Sequence, residues 1–483
     1  MTPVSETSVP GEPVTVGVDI GTTSVKAVAV DAHGEILIRA RVAHGLVTEP
    51  PGTFEHDVAS AWQADVLDAL GTVASGLDVA GACVAAMVPS LAAVDADGAP
   101  LGPGLLYGDR RGEHERTDPD LPGDGGELVA FLGWLAERFP NAAGYWPAQA
   151  VANHALGGEG IVDEYTALTG FPLFDLRAWD AGLATQAGAI LDQLPRIVPQ
   201  LEAGGRVRAG LPAEGAVLAG GTVDGYAEQL VSGANEPGDV LVICGTTLIT
   251  WAVTEAWCTA PGTWSIPHHF SSKFPGRCLI GGPSNAGGLF QDHVARLVGA
   301  VEGDADDATG ELDIDPAEVP VWLPYVRGER TPLHRPDLCA SLFDVGLHHG
   351  PTEVVRAAHE AAGFVVRHHV ELAESGGLVP RRVVATGGGT RSPGLMQALA
   401  DVTGLPVDVA ASPEGAARGA AYLARCAAGL AGDIEGADAW ARTGHRVEPR
   451  DAWRERCDGR YRRFRDLTDA AMANRRPAHV DVD

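Results

Sequence analysis

Asp19-Ile20-Gly21-Thr22-Thr23 puts a carboxylate, a glycine and two hydroxyls on one short stretch. The chemistry this allows is phosphate binding. Glycine lets backbone N–H groups approach an anion, and threonine hydroxyls add donors. Asp19 would repel a bare phosphate but suits a Mg²⁺ carried by one. Gly-Thr-Thr returns at Gly245-Thr246-Thr247. Asp224, in the glycine-rich bend Gly220–Gly225, could accept a hydroxyl proton as general base, or could be a turn or cap aspartate. Asp109 and Arg111 could grip a polyol, the carboxylate accepting from hydroxyls and the guanidinium donating, or could form a surface ion pair. Gly387-Gly388-Gly389 could carry a nucleotide over bare backbone. With Ser392, and with Asp408 about 20 residues on, it could also be a dinucleotide fingerprint. No G-x-x-x-x-G-K-[ST] occurs, so a P-loop is excluded.

The elements that must position these residues follow from periodicity. Val14, Val16 and Val18 alternate with Thr15, Gly17 and Asp19, so Val14–Val30 reads as a hairpin bent over the polar turn. Glu35–Ala43 reads as a third strand and Ala59–Ala74 as a helix carrying Trp62. Two apolar runs in Val79–Val94 are broken by Val88-Pro89-Ser90, and Leu101–Tyr107 delivers Asp109 and Arg111. Gly160–Thr169 and Trp179–Leu194 read as helical. Strand–Gly-Thr-Thr–strand recurs at Val240–Val253, which predicts a duplicated fold with the two hairpins across a cleft. Thr352–Ser375 and Pro393–Val402 read as helices around the strand Val383–Ala385. Glu414–Leu430 is a small-residue helix that could lie tightly against a sheet or a ligand. Strands alternating with helices make the class α/β.

The chain has 483 residues, 45% hydrophobic and 20% charged, which describes a globular protein of two domains. Its net charge of −29 disfavours nucleic acid and anionic membranes as partners. Seven scattered cysteines, never in C-x-x-C, point to reduced thiols in a cytoplasmic protein. The adjacent histidine pairs do not have zinc-ligand spacing. Residues 1–13 read as a flexible leader, 14–236 as an N-terminal domain, and 237–483 as a C-terminal domain with a terminal helix and polar tail.

Together these motifs resemble the FGGY carbohydrate kinases. Asp19–Ser24 and Gly245–Thr247 look like the two phosphate loops, and Glu55-His56-Asp57 with Trp62 is similar to E-Q-D-P…W. Asp109-x-Arg111 looks like D-x-R, Leu168-Thr169-Gly170…Asp175 like L-T-G…D, and Gly221–Asp224 like the loop of the catalytic aspartate. Gly328–Pro332 matches G-E-R-x-P, and Gly387–Val407 resembles the C-terminal signature. The resemblance implies two duplicated ribonuclease H-like domains of the actin/sugar kinase superfamily. It implies ATP-dependent phosphorylation of a sugar or polyol, with Asp224 as base and Mg²⁺ near Asp19 and Asp224. Gly21, Thr22, Thr23, Gly245, Thr246 and Thr247 would surround phosphates within reach of Lys26. Gly288, Gly387, Gly388, Gly389 and Ser392 would lie along the nucleotide. The layout is nearest the xylulokinase-like branch, so a ketopentose such as xylulose is the first expectation, and the assembly is compatible with a homodimer. One departure stands out. Where that branch has Q-M-H-G touching the sugar, this chain has Met87-Val88-Pro89-Ser90, so Val88 and Pro89 would face the substrate instead. Another ketose, a polyol, an aldonate, an idle sugar sensor and a nicotinamide oxidoreductase remain as alternatives.

Overall fold

The computed structural model describes residues 12–112, 126–268, 277–299, 314–412 and 414–474. Glu113–Gly125, which the sequence reads as an irregular loop, Gly303–Gly310, which it reads as an acidic insert, the tail after Asn474 and nearly all of the leader lie outside them. Two compact units are present. One holds 12–112, 126–231 and 414–441, the other 232–268, 277–299, 314–412 and 442–474. Residues 414–441 therefore go with the first unit, although the sequence reading places them in the second domain.

In the first unit Val14–Ile20 pairs antiparallel with Ser24–Val30, which pairs antiparallel with Ile36–Ala43. On its other side Val14–Ile20 runs parallel to Val79–Ala86, followed by Val217–Ala219 and Ala203–Arg206. In the second unit Asp239–Cys244 pairs antiparallel with Leu248–Thr254, then Cys278–Ser284 and Trp264–Pro267. On its other side it runs parallel to Arg382–Thr386, then Val407–Ala410, with Thr443–Val447 at the edge. Hairpin, third antiparallel strand and parallel neighbours thus occur in the same arrangement twice. The central strands are buried on both faces, which is why they read as near-continuous apolar runs.

The small-residue helix Gly415–Ala427 shows why its composition matters. It lies on Val14–Ile20 and Val79–Ala86 so closely that a Cβ on Gly17 would sit 1.8 Å from the Ala417 carbonyl oxygen. A Cβ on Gly419 would sit 1.8 Å from the Ala227 carbonyl of helix Asp224–Leu230. Backbone-to-backbone packing of this kind leaves no room for side chains. In the second unit the helix Pro351–Ser375 packs along Pro393–Thr403, and Asp401 takes Arg356 and Arg450 in a buried ion cluster.

Two stretches differ from their expected helices. Ile161–Asp163 is a strand parallel to Arg196–Val198, and the helix begins only at Glu164, with the Asp163 side chain accepting from Thr166 N at 2.7 Å. Trp179–Leu194 holds just the short helix Ala181–Gln186. Asp180 caps its start, and Gly188 at φ +86° turns the chain away after its end.

Candidate active site

The first hairpin turns at Gly21–Thr23, where Gly21 N donates to Ser24 O at 3.0 Å. Asp19 lies on its first strand directly opposite Lys26, and Lys26 Nζ stands 3.7 Å from Asp19 Oδ2. The Asp19 side chain is only 10% exposed, and burial pushes its carboxyl above the usual range, with Lys26 partly offsetting this. An oxygen ligand this poorly compensated by one distant ammonium fits a divalent cation. Thr22 is turned inward: its hydroxyl shares a 2.8 Å hydrogen bond with Tyr107 OH. Thr23 is exposed.

Register carries the site across the sheet. Asp19 is paired with Ala85, and Ala85 with Thr222; Ile20 is paired with Ala86, and Ala86 with Val223. Asp19, the Met87–Ser90 segment and Asp224 therefore emerge at one edge of one sheet, at the carboxyl ends of its parallel strands, where ligands of open α/β sheets bind. Neighbouring strands lie about 4.8 Å apart, so Asp19 and Thr222 backbones are roughly 10 Å apart. Asp224 opens the helix Asp224–Leu230, half-buried, with Oδ1 accepting from Gly225 N at 2.7 Å. The bend before it needs Gly221, at φ +84°. Pro89 is buried and Val88 half-buried.

Asp109 requires a correction. Its side chain is fully buried and spent on the protein. Oδ1 accepts from Arg111 N at 2.9 Å and Nε at 2.7 Å, while Oδ2 accepts from Phe54 N at 2.6 Å and from Arg111 Nη2. Asp109 thus aims Arg111 and has no lone pair left for a hydroxyl. Glu55 takes a second contact from the same guanidinium.

In the second unit Gly245, Gly288 and Gly387–Gly389 come together around Cys244–Thr247. Gly288 N donates to Gly245 O at 2.9 Å. A Cβ on Gly287 would lie 2.3 Å from Thr247 C, and one on Gly387, at φ +89°, 2.9 Å from Cys244 O. Among the described residues the Thr246 and Thr247 side chains make no hydrogen bond. Ser392 serves a local end as N-cap of Pro393–Thr403, accepting from Leu395 N at 3.1 Å. The Gly328–Pro332 motif clamps this region. Glu329 accepts from Ser284 Oγ at 2.7 Å, Asn285 N at 3.0 Å and Arg330 N at 2.7 Å. Burial nonetheless raises its carboxyl to about 7. The dinucleotide alternative loses its ribose acid, because Asp408 is held by Arg382 at 2.8 Å and Arg446 at 2.6 Å.

Sequence reasoning missed His44, whose ring meets Gly21 O at 3.0 Å, and Tyr107; nothing in local spacing marks either. It noted His56 and Trp62 without a role. His56 Nε2 donates to Thr22 O at 2.8 Å, and Trp62 Nε1 donates to His56 Nδ1 at 3.0 Å. The pair His348-His349 lies in a turn, where both rings come near Glu318 on the surface.

The sequence profile of the FGGY family of carbohydrate kinases, N-terminal domain, matches residues 14–123, and that of its C-terminal domain matches 240–428, together more than half the chain. The chain belongs to the FGGY family. It is a carbohydrate kinase. Similar relatives include the xylulose kinase of Escherichia coli strain K12, 28% identical over 86% of this chain and 90% of that protein. The gluconokinase of Bacillus subtilis strain 168 is 24% identical over 86% of this chain and 87% of its own length. The crystal structure of xylulose kinase from Rhodospirillum rubrum superposes with a TM-score of 0.78 at 28% identity, covering 95% of this chain and 98% of that one. A kinase of this family uses ATP, and among the described residues no helix is long and apolar enough to cross a membrane.

Proposed function

We propose that this FGGY kinase transfers the γ-phosphoryl group of ATP to a hydroxyl of a small sugar, a ketopentose such as xylulose being the first candidate. The observation that carries this reading is the register that brings Asp19, Met87–Ser90 and Asp224 to one sheet edge. Asp224 accepts the proton of the attacking hydroxyl as the new O–P bond forms and the bond to ADP breaks. Arg111, aimed by Asp109 and Glu55, donates to a substrate oxygen. Each Gly-Thr-Thr loop offers donors to phosphate oxygens, and the glycines around Cys244 leave a flat backbone surface for the nucleotide. Asp19 and Asp224 would hold Mg²⁺, which supplies neutralisation of phosphate charge. Seven cysteines outside any disulfide fit a reducing cytoplasm.

Val88 and Pro89 offer the sugar neither a side-chain donor nor, at Pro89, an N–H. The relatives named above include a gluconokinase as well as xylulose kinases, so a kinase for another ketose, a polyol or an aldonate is the second reading. ADP release measured with pentuloses, hexuloses, polyols and aldonates at saturating Mg-ATP tests both. Stimulation by xylulose supports the first, and stimulation by an aldonate or polyol alone selects the second. Binding of a sugar with no ADP release from any of them would contradict the kinase mechanism.

A further inference from the structure

The carbonyls of the first loop are all taken up by the protein. Ile20 O accepts from Met87 N at 3.3 Å, Thr23 O from His44 N at 3.0 Å and Ser24 O from Gly21 N at 3.0 Å. The two between them go to imidazoles. Gly21 O meets His44 Nε2 at 3.0 Å and Thr22 O meets His56 Nε2 at 2.8 Å. By contrast, the Thr22 and Thr23 N–H groups meet no acceptor among the described residues.

These facts are linked by peptide geometry. In a trans peptide the C=O and N–H of one plane point in opposite directions. The plane that carries Gly21 O carries Thr22 N–H, and the plane that carries Thr22 O carries Thr23 N–H. Each imidazole grips one plane by its oxygen and thereby turns the N–H away from itself. Both rings are themselves fixed. Trp62 Nε1 donates to His56 Nδ1 at 3.0 Å, so the hydrogen of His56 must be on Nε2, and the residue is 1% exposed. The His44 side chain is 2% exposed, with Asp65 Oδ2 at 3.2 Å from Nδ1 and Gly21 O on Nε2. Both His44 nitrogens thus face acceptors. The rings contact edge to face, centroids 4.6 Å apart.

We propose that His44 and His56 are positioning residues of the phosphate loop, holding two successive peptide planes so that the Thr22 and Thr23 N–H groups form an anion-binding nest for the nucleotide phosphates. Successive N–H groups presented in this way bind anions without any side chain. The proposal rests on the reading of Gly21–Thr23 as a phosphate loop.

The test compares Mg-ATP with adenosine, which lacks phosphates, by titration calorimetry on the full chain. His56→Leu and His44→Leu remove the donors; His56→Gln and His44→Gln keep an N–H for the same carbonyl. The Leu variants are expected to bind Mg-ATP about tenfold more weakly, the loss of roughly one hydrogen bond at each plane, with adenosine affinity within about twofold. The Gln variants are expected to lie within about threefold of the parent for both. Unchanged Mg-ATP affinity in the Leu variants, or equal losses for ATP and adenosine, overturns the proposal. A parent that binds Mg-ATP no tighter than adenosine overturns the phosphate-loop reading itself. If a Leu variant does not fold, failure of the matching Gln variant to hold Mg-ATP while it still binds adenosine also overturns the proposal.

Discussion

The two Gly-Thr-Thr loops sit on the same scaffold yet are built by opposite means. Each follows the central strand of its sheet, and each closes with a glycine N–H to a carbonyl of its own turn. In the first, Asp19 faces Lys26; at the matching register of the second, Ile243 faces Ile249. The first loop is braced by side chains from His44, His56 and Tyr107. The second is braced by backbone, with Gly287, Gly288 and Gly387 packed against it. The hairpin occurs twice, and only the first copy carries a charged pair beside its loop. In the proposed function both loops would offer donors to phosphate oxygens, the charged pair beside the first would also manage metal, and the glycines beside the second would add a flat surface for the nucleotide.

The strongest break in this comparison is Asp19→Ala. It is expected to lower kcat by about 10²–10³, whereas Ile243→Ala should leave kcat within about threefold; matched losses would show that the two loops work alike. Next comes the backbone-braced side. Gly287→Ala forces a Cβ to within 2.3 Å of Thr247 C and should destabilise the fold by about 2 kcal/mol in urea denaturation. Gly45→Ala, where a Cβ meets nothing within 4 Å, is the control expected to be near neutral. The clamp under the second loop should show in pH dependence. Glu329 is held at about 7 by burial, above its ordinary 4.5, so the folded protein binds a proton that the unfolded chain releases. Its contribution to stability is present below about 4.5 and is lost as pH rises through about 7. Glu329→Gln should flatten that segment of the stability–pH curve; an unchanged slope would mean that Glu329 does not titrate there. The smallest effect belongs to single hydroxyls. Thr23→Ala and Thr246→Ala should each raise KM for ATP by about three- to tenfold with kcat little changed.

Local pattern made much of this legible. The alternation at Val14–Val18 and the repeated Gly-Thr-Thr specify two hairpins, and the glycines around Asp224 mark a bend that only a positive φ can make. Small residues in Glu414–Leu430 signalled tight packing against a sheet or a ligand; it is the sheet, and Gly17 and Gly81 beneath that helix leave the room for it. What was not legible depends on contacts far apart in the chain. That helix returns to a sheet whose strands come some 400 residues earlier, a pairing no periodicity encodes. Asp109 reads as a ligand-gripping acid until Phe54 and Arg111 are seen to use both its oxygens. Thr22 reads as a free hydroxyl until Tyr107, 85 residues on, takes it. Trp179–Leu194 has helical spacing, but Asp180 and Gly188 shorten the helix to a few turn-like residues.

The central claim is that the chemistry of this carbohydrate kinase is carried by the first unit, with Asp224 as the base. The most direct measurement is sugar-dependent ADP release by Asp224→Ala beside Mg-ATP affinity of the same variant. The account predicts a loss of at least about 10³ in kcat with nucleotide affinity within about threefold of the parent. Turnover retained at the parent rate would contradict it.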